Sequence, residues 1–93
     1  LDAAELMIRK ASWMLDSGIP CGAEANMAKW LAADACFFAA DRAMQTHGGF
    51  GYASEYHVER YWREARLQKI APISQEMIQN YVAEHVLELP RSY

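Results

Sequence analysis

Apolar residues recur at helical spacing along most of the chain and predict four helices. The first covers residues 2–16 and ends before Gly18 and Pro20, a glycine and a proline that stop a helix. A long alanine-rich run predicts a second helix over residues 23–47. Because small side chains let neighbouring helices approach closely, we expect this second helix to lie at the centre of the fold.

Two serines mark the starts of the remaining helices. Ser54 is placed to cap a third helix that runs to Leu67, and Ser74 is placed to cap a fourth that ends before Pro90. No stretch shows the alternation of apolar and polar residues that is typical of a strand. The pattern therefore predicts an all-α fold, an antiparallel up-and-down bundle of about four helices joined by short connections.

The high hydrophobic content of so short a chain predicts that the bundle contacts further protein. The chain has 93 residues and 53% hydrophobic side chains, so it forms one domain, residues 1–93, whose core cannot hide all of its apolar surface. We expect the remainder to pack on other parts of a larger chain or on other subunits. The start at Leu1, without methionine, fits a fragment or a processed product.

Charge and cysteine usage exclude several classes of function. A net charge of −3 leaves no basic footprint for nucleic acid. Asp34 and Asp41 interrupt the longest apolar run, so no membrane segment is expected; these aspartates are either solvated or paired, with a neighbouring cation or with another helix. Cys21 and Cys36 lack the spacing of a metal site or a disulfide framework, and we expect reduced thiols and no bound metal.

The stretch "QTHGGFGY" is the candidate for chemistry. Gly48, Gly49 and Gly51 can adopt positive φ and expose backbone N–H groups, which suits close approach of a phosphate or another polar group. A plain turn between two helices explains the same glycines. No strand precedes them, so they are neither a P-loop nor a dinucleotide fingerprint. His47 is expected to cap the helix end rather than to act as a base.

A longer pattern around this stretch resembles a known family. The runs "DRAMQTHGGFGYASEYHVERYWREARL" and "KIAPISQEMI" are similar to the C-terminal helical domain of acyl-CoA dehydrogenases. That domain has a Q-x-x-G-G-x-G-[YF] turn, a glutamate-rich helix ending R-D-A, and a [TS]-x-[EQ]-I helix start. The positions that match in residue and spacing are Gln45, Gly48, Gly49, Gly51, Tyr52, Glu55, Glu59, Arg63 and Ala65.

The resemblance implies an oxidoreductase of fatty acid metabolism that carries FAD. Its substrate is an acyl-CoA thioester, which is oxidised to the 2,3-enoyl-CoA. The resemblance further implies a subunit with additional domains, assembly as a homodimer or homotetramer, and electron-transfer flavoprotein as the acceptor. Bacterial cytoplasm or the mitochondrial matrix is the expected compartment. The domain alone, without those other parts, is expected to be inactive.

The resemblance also assigns cofactor-binding residues. The turn in this family reaches the ADP half of FAD in a neighbouring subunit, which carries over to Gln45, Gly48 and Gly49. The [TS]-x-[EQ] pair contacts the flavin cofactor as well, and Ser74 and Glu76 occupy its positions. For Ser74, ordinary helix capping is an alternative that is compatible with binding.

One position departs from the family pattern. Many members carry the catalytic base as a glutamate in the loop before the fourth helix, where this chain has Pro72, and proline cannot act as a base. No catalytic residue is therefore predicted within the chain, and the base is expected on an upstream helix. The alternative is a helical oligomerisation or ligand-binding module that has lost dehydrogenation.

Overall fold

The computed structural model describes residues 1–91, and α-helices occupy most of them. The four long helices predicted from the sequence are confirmed, no strand occurs in the described range, and the last two residues of the predicted domain 1–93 lie outside it. The helices are α1 (Asp2–Asp16), α2 (Gly22–His47), the short α3 (Gly49–Tyr52), α4 (Val58–Leu67) and α5 (Gln75–His85), with a 3₁₀ turn at Ser54–Tyr56.

Helix α2 is the centre of the molecule, as predicted. It packs against α1, α3, α4 and α5, whereas no Cα atoms of α1, α4 and α5 lie within 8 Å of one another. Its buried residues, Ala28 and Ala33, are small, which lets the flanking helices come close. The flanking helices contribute the other buried side chains, namely Ala4, Val58, Ala65 and Ile78.

The prediction for the start of the third long helix is wrong. Ser54 does not cap it: residues Ser54–Tyr56 form a 3₁₀ turn, and α4 begins at Val58. The physical reason is His57, which has φ 61 and lies in the left-handed region, so the chain cannot continue from the 3₁₀ turn into one α-helix. The connection between α2 and α4 is thereby longer and more structured than a simple turn.

The molecule is a thin layer with a small core. Its extents are 46 × 33 × 19 Å, and its radius of gyration is 16.0 Å. A compact chain of this length would have a radius of gyration of about 12 Å. The accessible surface is 6805 Å², against about 5,500 Å² for a compact monomer of this mass. The predicted excess of apolar surface is present, because side chains such as Leu6, Trp13 and Phe38 are exposed.

Candidate functional site

The glycine turn gives each of its glycines a different role. Gly48 ends α2 with φ 59 and ψ −137, a conformation that favours glycine. Gly51 is buried in α3, and a Cβ atom there would lie 2.6 Å from the carbonyl oxygen of Met44. The N–H of Gly51 donates to the carbonyl of Gly48 at 3.0 Å. The expectation of positive φ and a free amide therefore fails at Gly51, which serves close packing.

Gly49 is different, because the fold does not require a glycine there. It is exposed, its φ is not positive, and a Cβ atom built on it would meet nothing within 4 Å. The backbone at the first residues of α3 is consequently open to approach from outside the domain. A plain turn accounts for Gly48 and Gly51 but leaves Gly49 unexplained.

The polar side chains before the turn also differ in role: two of them bond within the fold, and one does not. The Thr46 hydroxyl donates to the carbonyl of Arg42 at 2.8 Å, and Nδ1 of His47 lies 2.9 Å from the carbonyl oxygen of Ala43. Both bonds run back to α2, in agreement with a structural role for His47. The exposed Gln45 side chain has no hydrogen bond within the described part of the chain, so both ends of its amide are available to a ligand.

A groove of about 390 Å³ opens beside the turn. The groove contains an aromatic ring, Trp62, whose Nε1 donates to Asp41 at 3.1 Å, and an ion pair between Arg63 and Glu59. The two residues of this ion pair are four positions apart on α4, so they lie on the same face of the helix. The lining residues are Met44, Tyr52, Ser54, Glu59, Trp62 and Arg63.

A second groove, of about 470 Å³, lies at the start of α5. Ser74 caps this helix as predicted, since its Oγ accepts from the N–H of Met77 at 3.3 Å. The hydroxyl proton remains free to donate to a ligand oxygen. Glu76, in the first turn, is exposed. The lining residues are Phe37, Arg66, Lys69, Ile70, Ser74, Gln75 and Glu76.

Two cations in this groove were not identified from the sequence. The Arg66 guanidinium lies 5.8 Å and the Lys69 ammonium 5.4 Å from the ring centre of Phe37. Lys69 also pairs with Asp34 at 2.7 Å. These residues come from two segments of the chain, residues 34–37 and 66–69, and only the packing of the fold brings the two segments together.

Asp34 is paired rather than simply solvated, which decides between the two alternatives that the sequence left open. Partial burial opposes its ionisation, but hydrogen bonds from Lys69 and Gln75, together with the charge of Lys69, outweigh that effect. The pKa of Asp34 therefore lies below its ordinary value. Its carboxylate is charged at neutral pH and links α2 to the loop before α5.

The five predicted cofactor residues fall into two groups. Ser74 and Glu76 line the groove at α5, whereas Gln45, Gly48 and Gly49 lie at the end of α2. Asp34, which contacts the first residue of α5, precedes Gln45 by about 16 Å of helix. One domain therefore presents two separated polar surfaces, and Pro72 stands in the loop between α4 and α5.

Residues 1–91 contain neither a cluster of metal ligands nor a helix that could span a membrane. No group of His, Cys, Asp and Glu side chains within residues 1–91 is arranged to hold a metal ion. Over the same range, no helix combines the length and the apolar character needed to cross a bilayer. Cys21 and Cys36 are both free thiols, in agreement with the prediction.

Comparison with known proteins identifies the family. Residues 1–87 match the family model described as "Acyl-CoA dehydrogenase, C-terminal domain". The chain belongs to the acyl-CoA dehydrogenase family, as the resemblance predicted, and it corresponds to the C-terminal helical domain of that family.

Similar proteins include enzymes from several bacteria. The chain is 48% identical over its full length to acyl-CoA dehydrogenase FadE12 of Mycobacterium tuberculosis, of which it covers 24%. It is 35% identical over 95% of its length to a 3-(aryl)acrylate reductase of Clostridium sporogenes, of which it covers 23%. The chain thus spans about a quarter of the length of these relatives.

A solved structure shows the same fold. A chain from an electron transferring flavoprotein study of Acidaminococcus fermentans, concerned with flavin-based electron bifurcation, matches with a TM-score of 0.87 and 29% identity. The match covers 92% of the present chain and 23% of that chain. The all-α architecture is therefore confirmed by structure as well as by sequence.

Proposed function

We propose that this chain is the C-terminal domain of a larger FAD-dependent acyl-CoA dehydrogenase subunit, which oxidises an acyl-CoA thioester to the 2,3-enoyl-CoA. The domain contributes cofactor contacts and subunit interface, and the subunits form a homodimer or homotetramer. Family membership supports the class of enzyme. Electron-transfer flavoprotein is the proposed acceptor, in keeping with the structural neighbour, which comes from work on an electron transferring flavoprotein.

The observation that carries the cofactor proposal is the open backbone at Gly49. No contact within the domain and no positive φ calls for a glycine at this position. A ligand that lies directly against the main chain does call for one, because a side chain would push it away. The pyrophosphate of FAD suits exposed N–H groups, and the unpaired amide of Gln45 lies four residues earlier, at the end of α2.

Ser74 and Glu76 fit the cofactor as a second contact surface. The Ser74 hydroxyl can donate to a polar cofactor atom while its oxygen caps α5, and the Glu76 carboxylate can accept from a hydroxyl or an N–H. We propose that the two surfaces contact two different FAD molecules, because the turn in this family reaches the FAD of a neighbouring subunit. Ser74 and Glu76 then contact the FAD of their own subunit, as a symmetric assembly allows.

The reaction needs a base that this chain does not offer in the usual place. FAD supplies the acceptor for hydride from the β-carbon, and a protein carboxylate removes the α-proton. Pro72 occupies the position of the family's loop glutamate, so we propose that the base lies on another segment of the subunit. The present domain then binds and orients the cofactor and closes one side of its site.

A bulky residue at position 49 tests the cofactor contact. In the full-length protein, we expect Gly49→Leu to weaken FAD binding by about tenfold or more, the loss of at least one good polar contact. Helix content and the melting temperature of the apoprotein should not change, since the added side chain points into open space. The matched control is Ala39→Leu, which adds similar bulk at an exposed position of α2. Equal FAD affinity in wild type and Gly49→Leu would contradict the proposal.

Pro72 favours one alternative function, a module that has kept the scaffold but lost dehydrogenation. Purified full-length protein distinguishes the two. An enzyme is yellow, and its flavin absorbance is bleached when an acyl-CoA substrate is added without oxygen. A colourless protein, or a flavin that stays oxidised with short, long, branched and aryl thioesters, supports the non-catalytic module instead.

A further inference from the structure

We propose that Asp34 is a positioning residue for the flavin site, because its carboxylate holds both ends of the loop that carries Ser74. The proposal rests on the proposed function, in which Ser74 contacts the cofactor. Asp34 itself lies in the middle of α2 and does not line the groove at the start of α5. It acts through the loop rather than on the ligand.

Asp34 contacts both ends of this loop. Its Oδ1 accepts from Nζ of Lys69 at 2.7 Å and from Nε2 of Gln75 at 2.8 Å. Lys69 is near the beginning of the loop, and Gln75 is the first residue of α5. One carboxylate oxygen therefore joins the two ends of the loop to each other and to the central helix.

Further bonds close the same loop. The N–H of Gln75 donates to the carbonyl of Lys69 at 3.2 Å, and the Lys29 ammonium, also on α2, donates to the carbonyl of Gln68. Beyond the loop, Ile78 is 1% exposed and fixes the first turn of α5 in the core. Ser74 lies between Gln75 and Pro72, so its hydroxyl follows the position that these bonds impose.

Stability alone does not explain the arrangement. The Asp34 side chain is 46% exposed, and ion pairs with that much solvent contact contribute little to folding. Preorganisation of a binding group depends on small displacements, however, and a loop that moves by an ångström loses affinity without unfolding. We therefore expect the loss of Asp34 to affect the loop and the cofactor more than the fold.

The experiment compares Asp34→Ala with Glu24→Ala in the full-length protein. Glu24 is a matched control because its carboxylate also lies on α2 and also pairs with a lysine, but that partner is Lys10 of α1, at 3.0 Å, and not a residue of the loop. Hydrogen exchange of the peptide covering residues 68–75 reports loop order in the apoprotein. Titration with FAD, followed by flavin fluorescence, reports the contact.

For Asp34→Ala we expect exchange of the loop to rise by about fivefold or more and the FAD dissociation constant to rise about tenfold. Asp34→Asn, which keeps an acceptor for Gln75 but loses the charge, should fall between Asp34→Ala and wild type. Glu24→Ala should change neither quantity. The melting temperature alone would not distinguish a positioning role of Asp34 from a purely structural one. Loop exchange and FAD affinity, measured together, distinguish the two roles.

Three results would overturn the proposal: loop exchange that does not respond to Asp34→Ala, an equal response in Glu24→Ala, or a loosened loop with unchanged FAD affinity. Gly49→Leu, titrated alongside, separates this failure from that of the proposed function. If Gly49→Leu weakens FAD binding and Asp34→Ala does not, the cofactor site stands and the positioning role is wrong. If neither weakens it, both proposals fail.

Discussion

At the scale of single residues, Gly49 and Gly51 look alike in the sequence, but the structure gives different reasons for a glycine at each position. Gly51 gives space to a neighbouring backbone, since a Cβ would lie 2.6 Å from the carbonyl oxygen of Met44. Gly49 faces open space. A family pattern that contains both does not reveal which glycine serves the fold and which is free for a ligand. The three-dimensional structure separates them.

This difference predicts the effect of adding one methyl group. We expect Gly51→Ala to destabilise the domain by about 1–3 kcal/mol, because the atom in the way is backbone and cannot rotate aside. The measurement is the thermal unfolding midpoint of the apoprotein. Gly49→Ala is the matched control. Its free energy of unfolding should change by no more than that of an ordinary surface substitution, about 0.5 kcal/mol, so its midpoint should stay close to that of the wild type. Equal midpoints for the two variants would contradict the assignment of Gly51 to packing.

Residue-level prediction from sequence succeeded where the signal was local. Ser74 was identified because a serine before a helical pattern is a capping signal, and the structure shows that bond. The partners of Asp34 could not be chosen in advance, since Gln75 is 41 residues away and only the packing of α5 on α2 brings them together. The roles of Gln45, Gly48, Gly49 and Glu76 in cofactor binding remain predictions.

At the scale of elements, α2 carries the fold and also its polar links. The Glu24 carboxylate pairs with Lys10 of α1 at 3.0 Å, and the hydrogen bond from Lys10 lowers its pKa. Asp41 and Asp34 make the equivalent links to α4 and to the loop before α5. Alanines give α2 its close packing, and three carboxylates at intervals connect it to its neighbours. Sequence periodicity predicted the first feature and left the second open.

The depressed pKa of Asp34 predicts a dependence of stability on pH. Since the unfolded chain takes up the proton at a higher pH than the folded chain, the contribution of Asp34 is fully present above its unfolded pKa, about 3.9. It is lost as the pH falls through the lower folded pKa. We expect the stability difference between wild type and Asp34→Asn to be constant from about pH 7 to pH 5 and to shrink below about pH 4.

Chemical denaturation of both proteins at a series of pH values measures this difference. The control is the same comparison in a Lys69→Met background, where the main charged partner of Asp34 is absent and the pH dependence should be weaker. A difference that grows as the solution is acidified has the wrong sign, and it would show that the carboxylate is not stabilised in the folded protein.

The boundaries of elements were predictable only where a breaker acts locally. Gly18, with φ 69, ends the region of α1 as expected. The start of α4 was placed too early, because His57 adopts a left-handed conformation that separates the 3₁₀ turn from α4. Histidine is enriched at positive φ among non-glycine residues, but it signals this conformation far more weakly than glycine does. The capping signal at Ser54 therefore assigned the start of the helix wrongly.

At the scale of the whole molecule, the thin shape and the exposed apolar side chains describe a layer rather than a complete globule. With α1, α4 and α5 arranged around a single helix and out of contact with one another, few side chains have neighbours on every side. The relatives are about four times longer than this chain, so in them further polypeptide is available to cover such a layer. Composition alone predicted the exposed apolar surface, because 53% hydrophobic residues exceed what so small a core can bury.

The last prediction concerns the domain on its own. Exposed side chains on α1 include Leu6 at 68% and Trp13 at 62% exposure, two turns apart on the same face. We expect the isolated chain to self-associate through such apolar surfaces, with an apparent mass in gel filtration that rises with concentration over roughly the micromolar to millimolar range.

Replacing Leu6 and Trp13 with glutamate should shift the elution towards the monomer, because a charged face resists burial. The matched control, Ser12→Glu, adds charge to the same helix at an exposed polar position and should leave the elution unchanged. A sharp monomer peak for the unaltered chain at the highest concentration would show that the apolar surface does not drive association, and it would remove the physical argument for the subunit interface.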